Sequence, residues 1–182
     1  MKPFITSAAR WWLLGALAIV ALVSLAPAQG PDSAPMNQLL AQAKTQAAQL
    51  ATEADQMTSY TRSTDTWQSH ATQVTVIKEH INALGKTLQQ MEDGRASAAP
   101  WQQEAVDRIV PLAKELASSL DTTINHINQN KNQLGHADYR DYLQANAEMA
   151  QDIAALIKDY AAYGQHKEAY EKLGEKLETP GN

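Results

Sequence analysis

The chain has 182 residues, of which 20 are acidic and 15 basic, giving a net charge of −5 with histidine neutral, and it has no cysteine. An acidic chain without a basic cluster lacks the phosphate-neutralising surface that nucleic-acid binding requires. The missing thiols exclude disulfides, thiolate metal sites and covalently attached haem.

Lys2 and Arg10 precede an apolar run from Trp11 to Ala26, WWLLGALAIVALVSLA. A cationic head followed by such a run is the composition of a secretory signal. A bilayer-spanning helix takes about 20 apolar residues, with a lower limit near 17, and this run is shorter. It ends in Ala26-Pro27-Ala28, whose small side chains suit a signal peptidase, while Pro27 favours an extended approach to the cut. Residues 1–28 therefore read as a cleavable signal peptide, with the cut between Ala28 and Gln29. The alternative is an uncleaved anchor with Trp11 and Trp12 at the membrane interface. After cleavage no membrane span is expected, and the chain is exported to a periplasmic or extracellular space. The absence of both cysteine and an Asn-x-Ser/Thr acceptor leans towards a bacterial envelope. Residues 29–35, QGPDSAP, read as a flexible spacer.

From Met36 the apolar residues recur with a helical period. Met36, Leu40, Ala43, Ala47, Leu50, Ala54 and Met57 form a first stripe. Trp67, His70, Val74, Ile77, Ile81, Leu84, Leu88 and Met91 form a second. Between them the Ser/Thr-rich stretch TSYTRSTDT favours caps over helix interior. It predicts a turn, with Ser63, Thr64 or Asp65 capping the second helix. One long unbroken first helix, leaving a three-helix bundle, is the alternative. Gly94 then reads as a helix stop and Pro100 as a first-turn residue.

The third stripe is Val106, Ile109, Ala113, Leu116, Leu120, Thr123, Ile127 and Leu134, with Pro111 inside the helix. Gly135 reads as its stop and Asp138 as the next cap. The fourth stripe is Tyr139, Tyr142, Met149, Ile153, Leu156, Tyr160, Tyr163, Tyr170 and Leu177. The pattern predicts an all-α, up-down-up-down four-helix bundle within 36–178, with helices near 36–62, 66–93, 98–133 and 138–178 and a disordered tail at 179–182. The last two helices are longer than the first two by on the order of 12–20 Å. That excess predicts a two-helix projection in which Trp101 and Ala105 face Tyr170, Leu173 and Leu177, a partner surface for another protein or a second copy.

Chemistry is sparse. None of His70, His80, His126, His136 and His166 has an acidic residue three positions earlier, and no His-Glu-x-x-His or glycine-rich phosphate loop occurs. No catalytic residue, metal ligand or cofactor is assigned. One polar group stands out: antiparallel packing brings His70, Asn130, Tyr139, Tyr142 and Asn146 to one depth, with Thr61 nearby. Its plain reading is that His70, Tyr142 and Asn146 bond one another and fix helix register. Its functional reading is a small metal or polar-ligand site. The residues together predict a non-enzymatic structural or interaction protein of the cell envelope, with that ligand-binding bundle as the alternative.

Overall fold

A computed structural model describes residues 32–60, 66–131, 134 and 137–178. The expected signal peptide with its cut at Ala28 and Gln29, the expected caps Ser63, Thr64 and Asp65, the expected stop Gly135, the neighbour Thr61 and the tail 179–182 lie outside the described residues. The described elements are α1 (Ala34–Tyr60), α2 (Trp67–Gly94), a 3-10 turn (Arg95–Ser97), α3 (Pro100–Gln129) and α4 (Ala137–Glu178).

The spacer reading of residues 29–35 needs correction at its end. Helix α1 starts at Ala34, and Ser33 caps it: the Ser33 Oγ accepts from the Met36 N–H at 3.4 Å, and the Ser33 carbonyl accepts from the Asn37 N–H at 3.0 Å. Pro35 falls in the first turn, where its missing N–H leaves no intrahelical bond unmade. The expected α1 stripe, Met36 to Met57, is buried at every position.

Helix α2 begins with Thr66 as its cap, its hydroxyl accepting from the Ser69 N–H. The capping chemistry is the expected one, placed on the last Thr of the run. Helices α1 and α2 pack against each other, as do α2 and α3, α3 and α4, and α1 and α4. The chain is thus an all-α four-helix bundle, and the three-helix alternative is set aside. Gly94 does not adopt a left-handed stop. Its φ is −84°, and the chain tightens into the 3-10 turn while the Arg95 N–H satisfies the Glu92 carbonyl.

Helix α3 opens with Pro100 and runs on through Pro111, which lies on an exposed side. It ends at Gln129, short of the expected 133. Asn130 leaves the helix at φ −126° and donates from its Nδ2 to the His126 carbonyl, a side-chain bond that competes with continuation. Asp138 lies in the first turn of α4, where its charge suits the helix N-terminus, and is not its cap.

The fourth stripe is where sequence and structure differ most. The buried face of α4 is Tyr139, Leu143, Asn146, Ala147, Ala150, Ile153, Ile157, Ala161 and Gly164. Tyr142, Met149, Leu156 and Tyr160 flank it, half-buried, and Tyr163 is 49% exposed. The reason is steric. Helix α4 makes its most extensive contact with α1, whose buried face carries Ala43, Ala47 and Ala54. Small residues on both helices let two backbones approach closely, which large aromatic side chains would prevent.

Among the described residues no helix is long and apolar enough to cross a membrane.

Candidate functional site

Two polar assemblies close the ends of the bundle. At the end formed by the start of α2, the end of α3 and the start of α4, His70 and Tyr139 are both buried. Their Nδ1 and hydroxyl are hydrogen-bonded at 3.0 Å, with the rings edge-to-face at 5.4 Å. The other face of this group belongs to His126, whose ring stacks on Tyr139 at 5.7 Å and meets Tyr142 edge-to-face at 5.2 Å. Asn146 donates from Nδ2 to the Thr123 hydroxyl at 2.8 Å, and that hydroxyl donates to the Ser119 carbonyl at 3.1 Å. Burial pushes the Tyr139 phenol well above the ordinary tyrosine range. It therefore keeps its proton at physiological pH and is no general base.

The structure brings all five expected residues to this end but links them differently. The expected bonding of His70, Tyr142 and Asn146 to one another is replaced by three pairings: His70 with Tyr139, Tyr142 with His126, and Asn146 with Thr123. Asn130 serves as the C-terminal cap of α3. His126 and Thr123 are the residues that sequence reasoning left out of the group. Thr123 was legible as a stripe position, and His126, three residues on, sits at the edge of that stripe. Two atoms here stay without a hydrogen-bond partner among the described residues, the His126 Nε2 and the Asn146 Oδ1, both buried. Trp67 stands over Lys131, whose Nζ lies 4.2 Å from the ring centre. Among the described residues no group of three or more His, Asp or Glu side chains is placed to hold a metal ion.

The opposite end is tied together by Gln102, which is fully buried. Its Oε1 accepts from the N–H groups of Ala99 (2.9 Å) and Ser33 (3.0 Å), and its Nε2 donates to the Ser33 carbonyl (3.0 Å) and the Asn37 Oδ1 (2.7 Å). One amide thus caps α3 and clamps the entry to α1. Beside it the Asp32 Oδ1 accepts from the Trp101 Nε1 at 2.8 Å and from the Lys167 Nζ at 2.7 Å. These hydrogen bonds, from Asp32 first, together with Glu171, hold the Lys167 ammonium above its ordinary pKa.

This end does not form the expected two-helix projection. Ala105 is fully buried, and Trp101 is half-buried against α4 with its ring edge-to-face with Tyr163 at 5.1 Å. Helix α3 starts level with α1 because Gln102 joins their first turns. Among the described residues only α4 continues past the other helices, and Tyr170 (80%), Leu173 (54%) and Leu177 (76%) stand exposed along it. An i,i+4 pair of Glu168 and Lys172 forms on this extension.

No protein-family model matches the chain, and no curated protein or solved structure matches it.

Proposed function

We propose that the chain is an exported protein, cut between Ala28 and Gln29, that works through protein–protein contact and not through catalysis. The observation that carries this reading is the end of α4. Among the described residues the large exposed hydrophobics are Leu112, Tyr163, Tyr170, Leu173 and Leu177, and all but Leu112 lie in the C-terminal half of α4. Scattered apolar residues are ordinary on a protein surface, but a run of them on one helix face marks an interaction site. The setting is the bacterial envelope, supported by the signal-like composition of residues 1–28 and the absence of thiols.

The test combines processing with contact. The full chain is expressed in a Gram-negative host, and the osmotic-shock fraction is analysed by intact mass. A product beginning at Gln29 supports export, whereas retention of residues 1–28 removes it. Co-purifying material is then compared between this protein and its Leu173→Asp/Leu177→Asp variant. An identical set for both defeats the interaction reading.

A second reading, a small polar-ligand or metal site at the His70 end, is favoured by the buried His126 Nε2 and Asn146 Oδ1, which have no hydrogen-bond partner among the described residues. Trp67 reports on it. If zinc, copper and small polar solutes leave its emission unchanged, this reading fails.

A further inference from the structure

We infer that the extension of α4 pairs with the same segment of a second copy of this chain, antiparallel, crossing at Gly174. The inference deepens the interaction reading above and rests on it. Its first support is Gly174 itself. A Cβ built there meets nothing within 4 Å, so no contact among the described residues requires glycine at this helical position. Gly85 of α2 is equally open, so what sets Gly174 apart is its place among the exposed Tyr170, Leu173 and Leu177, where a helical glycine, less stable than alanine, lets another backbone come close. Gly174 sits on the same face as the exposed Tyr170, Leu173 and Leu177.

The second support is the spacing. Tyr170, Leu173, Gly174 and Leu177 are separated by three, one and three positions, a pattern that reads the same in both directions. A two-fold axis through the midpoint of Leu173 and Gly174 sets Tyr170 against Leu177 of the second copy. It also sets Leu173 against Leu173, with the two glycines letting the helices touch. A different partner requires no such symmetry, whereas an isologous contact does. The third support is that an unsupported helix end of about eleven residues is marginal alone and gains from a partner. Six large side chains bury less than the roughly 1,200 Å² of a standard interface, so the pairing is weak, with a dissociation constant on the order of 10–100 μM.

The test uses the chain from Gln29 to Asn182 in sedimentation equilibrium over a roughly thousandfold concentration range around that constant. A monomer–dimer equilibrium abolished by Leu173→Asp is expected, and a monomer throughout overturns the proposal. Gly174→Ala separates a crossing point from an idle helix position. At a crossing point it weakens association by about tenfold or more while raising the Tm of the monomer. Unchanged association with a raised Tm contradicts the proposal. Because the chain has no cysteine, single thiols report geometry. Leu173→Cys is expected to form a disulfide-linked dimer readily and Tyr170→Cys slowly; equal rates contradict the antiparallel crossing. Failure of these results leaves the intact-mass result on export standing, so the two readings fall separately.

Discussion

Gly164 of α4 lies against Trp101 of α3 so closely that a Cβ on the glycine would stand 2.8 Å from the indole Cη2. The indole has little freedom to yield, because its Nε1 is bonded to Asp32 and its ring packs edge-to-face with Tyr163. Gly164→Ala is therefore expected to destabilise the bundle by about 1–3 kcal/mol, in spite of alanine's better helix propensity. Gly85 in α2 is the internal control, since a Cβ there meets nothing within 4 Å. Gly85→Ala is expected to stabilise by about 0.5–1 kcal/mol. Urea unfolding of both variants measures the opposite signs.

Gln102 satisfies groups on two segments that are distant in sequence. Gln102→Leu keeps much of the volume but strips partners from the Ala99 N–H, the Ser33 N–H and the Asn37 Oδ1, while the Ser33 carbonyl keeps the Asn37 N–H. The expected loss is about 2–4 kcal/mol, because buried backbone groups left unpaired cost more than a hydrogen bond contributes. Hydrogen exchange provides a second readout, with the first turn of α1 opening before the rest.

The pair of Lys167 and Asp32 predicts an alkaline limb in stability. The Lys167 ammonium is held above its ordinary value of 10.5 in the folded chain. A raised folded pKa contributes stability in full below the unfolded pKa, and the contribution is lost as pH rises through the folded value. Lys167→Met is expected to lower stability by about 1–2 kcal/mol near neutral pH, since a mostly buried charge-assisted bond is removed. The gap between the variant and the parent then closes above pH 10.5. A gap that persists there contradicts the ionic account.

Tyr139 is expected to be the last of the 6 tyrosines to ionise, because burial disfavours its phenolate. Ultraviolet titration of the folded protein checks this: its phenolate appears only with unfolding. Tyr139→Phe keeps the ring against His126 and removes the hydroxyl bonded to His70, with an expected cost of about 1–2 kcal/mol.

The first three helices were legible because large aliphatic side chains mark their buried faces. From Met36 to Met57 in α1, and from His70 to Met91 in α2, every expected position is buried. Helix α4 misled because its buried face interleaves Ala147, Ala150, Ala161 and Gly164 with Leu143, Ile153 and Ile157, and these small residues do not stand out as a stripe. Size identifies a core position only where helices stand far enough apart to need filling, and the close contact of α1 with α4 selects small residues. Gln102 was missed for another reason. Its position three residues after the cap Ala99 carries a recognisable signal, since a glutamine there reaches back to the cap N–H. Its remaining bonds depend on where Ser33 arrives, which only the assembled bundle determines. His126 shows the same limit, since its contacts are with Tyr139 and Tyr142 across a helix boundary.

Amide exchange across residues 168–178, followed as protein concentration rises, tests most directly whether the end of α4 is a contact surface. The account predicts that protection grows with concentration in this segment alone, while the buried stretch from Tyr139 to Ile157 is unchanged. Rapid exchange of residues 168–178 at every concentration, in purified protein and in the envelope extract alike, would contradict it.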